Sequence, residues 1–188
     1  ISASASFQYR SQPLNFNYHL FQSDFREYNW SNTNLVNQNT STKSIGVSHP
    51  KWGNVSAAWS TINNYGFFSN RTPLRFLNEK FKVEVLQLDK QIDYFKARFN
   101  QRLDFGKLSW INNVQYQKVT QEQDLDQILG DPLTLNVPEW LIRSTLMLTS
   151  SIFNKALSFQ SGATFVFFTD YYADQYNPLL SEFVTQNN

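Results

Sequence analysis

Residues 1–10 read ISASASFQYR. In an extended chain successive side chains point to opposite sides, so Ile1, Ala3, Ala5, Phe7 and Tyr9 share one face and Ser2, Ser4, Ser6, Gln8 and Arg10 share the other. A soluble sheet turns its apolar face toward a second protein layer. A membrane barrel turns that face toward lipid and keeps the polar face wet. The same alternating strand serves both, and the rest of the chain decides between them.

The 188 residues suit one domain with its own core. Sixteen Lys+Arg against fifteen Asp+Glu leave a formal net charge of +1, so no global field draws the chain toward nucleic acid. The lack of cysteine removes disulfides, thiolate catalysis and cysteine-based zinc sites. No apolar run approaches the roughly 18 residues that a spanning helix needs. Aromatic residues make up 16% of the chain, yet mean hydropathy is only −0.46, because Asn, Gln and Ser lie between them. Strands with one lipid-facing and one lumen-facing set of side chains average out in this way.

Eight strand candidates follow. The first runs to Arg10, and Ser11-Gln12-Pro13 is expected to turn it into LNFNYHLF, with Leu14, Phe16, Tyr18 and Leu20 on one face. A polar stretch over residues 24–42 reads as an exposed loop. KSIGVSH then turns at PKWGN into VSAAWSTINNYGFF, where Val55, Ala57, Trp59 and Tyr65 share parity and Pro50 and Gly53 suit a tight turn. From Phe81 to Phe105 one parity holds through Val83, Val85, Phe95, Ala97, Phe99 and Leu103, so a single very long strand is expected. Gly106-Lys107 turns into LSWINNVQYQK, with Leu108, Trp110, Val114 and Tyr116 together. A long acidic loop precedes WLIRSTLMLTSS, where Trp140, Ile142, Leu146 and Leu148 align. IFNKA turns into LSFQSGATFVFFT, aligning Leu157, Phe159, Ala163, Phe165 and Phe167.

Short turns (SQP, PKWGN, FGK, IFNKA) thus alternate with long connections (24–42, 69–80, 119–138, 171–188). Tight turns at one edge and long loops at the other are the asymmetry of an up-and-down outer-membrane barrel, and a Greek-key sandwich has no reason to sort its loops so. The expected fold is therefore all-β: an antiparallel up-and-down transmembrane β-barrel, here about eight strands in four hairpins over residues 1–188. Tyr9, Phe16, Trp59, Phe95, Phe99, Trp110, Tyr116, Trp140, Phe165 and Phe167 are assigned to the lipid-facing side or its aromatic girdles. For each aromatic, ordinary sheet packing is the plainer alternative.

Lumen parity collects Arg10, Lys96, Arg98, Arg102 and Arg143, a candidate basic wall that would tune selectivity toward anions. Charge balance against acidic residues elsewhere is the preferred reading, with Asp104 placed to neutralise Arg102. Glu122, Asp124, Asp126 and Asp131 lack calcium-loop spacing and read as solvated carboxylates. His19 and His49 stand on different strands with no partner in view, so no metal or general-base role is assigned. Four Asn-x-Ser/Thr triplets, at Asn29, Asn39, Asn54 and Asn70, are read as chance in an asparagine-rich chain. No nucleophile-elbow, phosphate-loop or dinucleotide motif occurs, and neither an enzyme nor a cofactor is expected.

From INNYGFF onward, through FGKLSWINNVQYQK and NVPEWLIRSTLMLTSSIFNKALSFQSGATFVFFTDYYADQYNPLLSEFVTQ, and more weakly at EYNWSN, the chain resembles the putative porin family of the Bacteroidota outer membrane. The resemblance covers most of residues 27–186 and rests on order and spacing. It implies a large outer-membrane β-barrel serving as a diffusion pore for small solutes, passive or selective, and carries over no catalytic residues. Against such a protein the chain lacks a leader, begins inside a strand and ends in VTQNN, so an internal segment of a longer barrel is expected. Its outermost strands would then need cover from the remaining strands of the parent barrel, another copy, or a barrel-assembly machine. Outer-membrane lipid is the other expected partner. A surface binding or adhesion barrel and a soluble aromatic-rich β-sandwich remain as alternatives.

Overall fold

The computed structural model describes residues 1–25, 28–69, 83–121, 135–154 and 156–185. Seven long strands make the main sheet: β1 (Ser2–Gln12), β4 (Gln38–His49), β5 (Gly53–Asn63), β8 (Ile92–Phe105), β9 (Leu108–Gln121), β10 (Trp140–Ile152) and β11 (Leu157–Phe168). They lie side by side in that order, each antiparallel to the next. The all-β, antiparallel, up-and-down reading holds at this level, with seven strands in the sheet rather than eight. Among the described residues the sheet is open, and β1 and β11 are its outer strands.

Three tight turns occupy one end of the sheet. At His49–Gly53 the imidazole Nδ1 of His49 accepts from the backbone N–H of Lys51 at 3.1 Å and of Trp52 at 3.3 Å, so this histidine closes a turn. Gly53 has φ +84°, and a Cβ there would stand 2.1 Å from the Asn100 carbonyl oxygen, so both conformation and space demand glycine. Gly106 has φ +63° in the second turn. In the third, between Ile152 and Leu157, Phe153 and Asn154 both take left-handed φ values, 53° and 52°, reached here without glycine.

Four expectations fail at the other end. The strand expected at 14–21 is instead a helical turn, α1 (Phe16–His19), followed by the short β2 (Leu20–Phe21), which pairs with β3 (Trp30–Ser31). Asn15 caps α1 by accepting from the Asn17 N–H at 3.3 Å, and Tyr18 stacks on Phe68 with centroids 4.5 Å apart. Aromatic burial outweighed an alternation only four apolar residues long. Ser11-Gln12-Pro13 is consequently no hairpin turn; β1 pairs with β4, whose polar half QNTST lay inside the expected loop. The strand expected from Phe81 to Phe105 is two, with Phe81 outside the described residues: β7 (Glu84–Gln87) and β8 part at Leu88–Gln91 and belong to different sheets. Tyr65 likewise falls beyond β5, before β6 (Gly66–Ser69).

Described parts of the connections at this end fold together into a cap. A four-stranded sheet runs β12 (Gln175–Asn177), β13 (Glu182–Thr185), β6, β7, with β13 and β6 parallel. Phe68, Val83, Leu180 and Val184 form its buried cluster, and Tyr18, Phe21, Tyr28, Trp30 and Val85 pack around them. Trp30 donates its indole N–H to the Asn17 carbonyl at 2.8 Å, and the Glu182 carboxylate accepts from the Asn15 amide at 2.8 Å. Burial pushes the Tyr18 phenol up to about 12, with Tyr65 and Glu182 nearby adding to the shift. Burial raises Tyr65 too, reinforced by Asp174.

Candidate functional site

The register of the main sheet carries one parity across every strand pair. Ala5 stands opposite Ile45, Ile45 opposite Ala57, Ala57 opposite Ala97 and Ala97 opposite Tyr116; Tyr116 then meets Trp140, and Ile142 meets Phe167. Residues directly opposite share a face. The odd-numbered set of the opening strand is thereby continuous with Val47, Val55, Phe99, Leu103, Val114, Leu146 and Phe165 over all seven strands. This face is open: Phe7 is 66% exposed and Phe165 63%. No second layer covers it among the described residues, unlike the apolar face of a sandwich.

Four of the assigned girdle aromatics form a ladder on this face. Trp59 lies 5.2 Å from Phe95 by ring centroids, Phe95 lies 6.2 Å from Tyr116, and Tyr116 lies 4.9 Å from Trp140, crossing β5, β8, β9 and β10. Lys43 opposite Trp59 and Lys118 opposite Phe95 flank it, with Asp93 one same-face step nearer the cap. Tyr9 stands near the cap end of β1 and donates to Asn39 Oδ1 at 3.2 Å. Trp110 lies toward the tight turns; Phe99, Phe165 and Phe167 lie on the same apolar face. Phe16 leaves it altogether, because it sits in α1 rather than on a strand. Gln101 and Ser161 interrupt the apolar band, as do Asn112 and Ser144, which stand opposite each other. The last two satisfy each other: Ser144 Oγ donates to Asn112 Oδ1 at 2.8 Å and accepts the Trp110 indole N–H at 2.8 Å. Their interruption of the alternation is visible in the sequence; their mutual satisfaction is not.

The other face holds most of the serines and the five candidate cations, together with the exposed Leu141, Val166 and Phe168. Ser6 and Ser44 hydroxyls meet at 2.7 Å, Thr42 and Ser60 at 2.9 Å, Thr145 and Thr164 at 2.9 Å. Lys96, Arg98 and Arg102 follow one another along this side of β8. Arg143 on β10 lies in the row of Asn100 and Asn113, between the levels of Arg98 and Arg102. Arg10 stands apart, on the outer strand β1 opposite Thr40. Of the five, Arg102 is neutralised as expected, its Nε 3.0 Å from Asp104. Arg98 Nε donates instead to Gln115 Oε1 at 2.7 Å. Three more polar groups reinforce this side: Gln117 Oε1 accepts from the Tyr94 hydroxyl at 2.7 Å and from the Gln115 amide at 2.9 Å. The sequence reading missed this amide network, since a glutamine on a strand carries no signal of its partner.

Where β9, β10 and β11 meet the cap end, a cleft of about 360 Å³ opens among Gln117, Val119, Val137, Glu139, Asp170 and Tyr172. None of its residues was singled out from the sequence. No group of three or more potential metal ligands occurs among the described residues. The acidic loop residues Glu122, Asp124, Asp126 and Asp131, and the triplet at Asn70, lie outside the described residues.

The family model described as putative porin matches residues 1–188. No curated protein and no solved structure matches the chain.

Proposed function

We propose, on the premise that the chain belongs to the putative porin family, that it forms part of an outer-membrane β-barrel through which small solutes diffuse. Lipid covers the apolar face, and the face carrying Lys96, Arg98, Arg102 and Arg143 lines the aqueous passage. The observation that carries this reading is the single parity held over seven strands, with most of the exposed large aromatics on one side, Phe168 excepted, and most of the hydroxyls, amides and cations on the other. The dimensions agree. From Phe95 to Phe105 the apolar side of β8 covers about 33 Å of strand, or about 25 Å of height at the usual barrel tilt, which is the height of a lipid-facing apolar band.

Bilayer hydrocarbon offers no hydrogen bonds to β1 or β11, so further strands complete the barrel, supplied by a longer parent chain of the Bacteroidota type, another copy, or an assembly machine. Among the described residues, Lys96, Arg98, Arg102 and Arg143 outnumber Asp104 along the middle of the wet face, which favours anionic solutes there.

Two measurements test the reading. Brominated lipids should quench Trp59, Trp110 and Trp140 in reconstituted protein, and tryptophan emission indifferent to those lipids would remove the lipid-facing assignment. Planar-bilayer recording of the parent protein should show pores whose preference for chloride over potassium falls in Arg98→Gln/Arg143→Gln; absence of conductance would favour surface binding instead. That second reading has one observation behind it, the packed cap with Tyr176 and Phe183 exposed upon it.

A further inference from the structure

The cleft at the cap end lies on the same side of the sheet as the cations, because Gln117 and Val119 share the parity of Gln115 on β9. Its chemistry is opposite to theirs. Two carboxylates, Glu139 and Asp170, line it, and neither has a side-chain hydrogen bond or ion pair among the described residues. Tyr171 and Tyr172 stand beside them, about half exposed, and the aliphatic side chains of Val119, Leu135 and Val137 complete the wall. No lysine or arginine is among the described residues that line it.

The walls are fixed before any ligand arrives. The buried Gln117 side chain donates to the Pro138 carbonyl at 2.7 Å, and its backbone N–H donates to the Glu139 carbonyl at 2.8 Å, which ties the segment before β10 to β9. The Thr169 N–H donates to the Trp140 carbonyl at 3.1 Å, and Tyr171 meets Phe168 edge-on at 6.3 Å, which holds the segment after β11. A preformed site loses less freedom on binding.

We propose that this cleft binds a small organic cation with an apolar body, such as a solute bearing a substituted ammonium group. Unpaired carboxylates attract the positive charge, tyrosine faces attract it through their ring quadrupoles, and the aliphatic wall accepts the hydrocarbon part. A neutral sugar would use the rings but would leave the aliphatic wall and the excess negative charge unmatched. The volume is that of a small-ligand pocket. The site would thus select a class of solute that the basic wall deeper on the same face does not. The inference goes beyond the diffusion reading and does not depend on it, since the cleft is built from one chain.

The test is calorimetric titration of the detergent-solubilised full chain with benzyltrimethylammonium chloride. Saturable binding is expected, weakened about fivefold by Glu139→Gln and about fivefold by Asp170→Asn, the scale of one exposed charge interaction. Tyr172→Ala should weaken it as well, and Asp93→Asn, outside the cleft, should leave it unchanged. Far-ultraviolet circular dichroism of each variant establishes that the sheet is intact, and the two single-carboxylate variants keep the test open should a tyrosine variant misfold. No saturable heat, an affinity untouched by either carboxylate substitution, or equal binding of methyl glucoside would overturn the proposal. Lipid quenching of the tryptophans reports separately on the membrane reading, so the two can fail independently.

Discussion

The cap and the main sheet handle the same residue types in opposite ways. In the cap, Phe68 is 1% exposed and packs against Tyr18 and Trp30, with Leu180 and Val184 beside it. In the sheet, Phe7 and Phe165 are more than half exposed, and Ile92, at the cap end of β8, is the sole fully buried apolar residue of the described strands there. The cap follows the rule of a water-soluble core, apolar side chains inward and polar groups outward. The sheet satisfies its backbone laterally through strand pairing and leaves its apolar side chains exposed among the described residues. What this contrast teaches is that burial within the chain is a poor measure of how its aromatics are used. The cap is held by packing, the sheet by hydrogen bonding between its strands.

The largest effect should come from emptying the cap. Phe68→Ala removes a fully buried ring and is expected to cost about 3–5 kcal/mol of cap stability. Amide hydrogen exchange should then rise in β6 and β13 while β9 and β10 stay protected; equal loss in both regions would merge the two into one cooperative unit. Next comes the sheet's apolar face. In bilayers Phe99→Arg should destabilise by about 2–4 kcal/mol while its neighbour Asn100→Arg, on the wet face, should cost far less. Denaturant titration in vesicles reads the difference, and similar costs for both would break the two-solvent description.

A smaller effect is expected at the tight-turn end. Gly53→Ala forces φ +84° on a residue with a Cβ and drives that atom against the Asn100 carbonyl, so about 1–3 kcal/mol should be lost from the β4–β5 hairpin. The smallest distinguishes the cap by pH. Tyr18, at about 12, and Tyr65 hold their protons more tightly in the folded cap than in the unfolded chain, whose phenols ionise near the ordinary value of 10. Their contribution is complete below pH 10 and is lost as pH rises toward 12. Tyrosinate absorbance during alkaline titration should show a late-ionising fraction that moves to lower pH in Phe68→Ala. A single transition near 10 in the intact protein would contradict the packing of Tyr18.

Within the long strands, what could be read from residue order is extensive. The alternation in 1–10, 55–59, 95–105, 108–116, 140–148 and 157–167 placed each apolar set correctly, because a period of two needs no knowledge of a partner. The tight turns at Pro50–Gly53, Gly106-Lys107 and Phe153–Ala156 were equally local. Where partners mattered, the reading failed. LNFNYHLF has the period of a strand but went to the cap, and Val85 keeps the parity of Phe95 while lying in another sheet, with Val83 just before it in the cap's buried cluster. QNTST has no apolar signal and became half of β4 because β1 was there to pair with it. At the candidate sites, the common face of Lys96, Arg98, Arg102 and Arg143 followed from parity, as did the Arg102–Asp104 pair. The Gln115–Gln117–Tyr94 network and the cleft at Glu139 and Asp170 did not, since each joins side chains from separate strands.

The amino-acid order alone determined that the strands have two unlike faces and where the tight turns fall, because both are set by steric preferences over a few consecutive residues. Tertiary structure alone decided which strand lies beside which, that Tyr18, Phe68, Leu180 and Val184 pack together in a cap, and that carboxylates and tyrosines meet at the sheet's end. Those outcomes depend on burial and on register between segments far apart in the chain, and such energies exist only once the segments have come together.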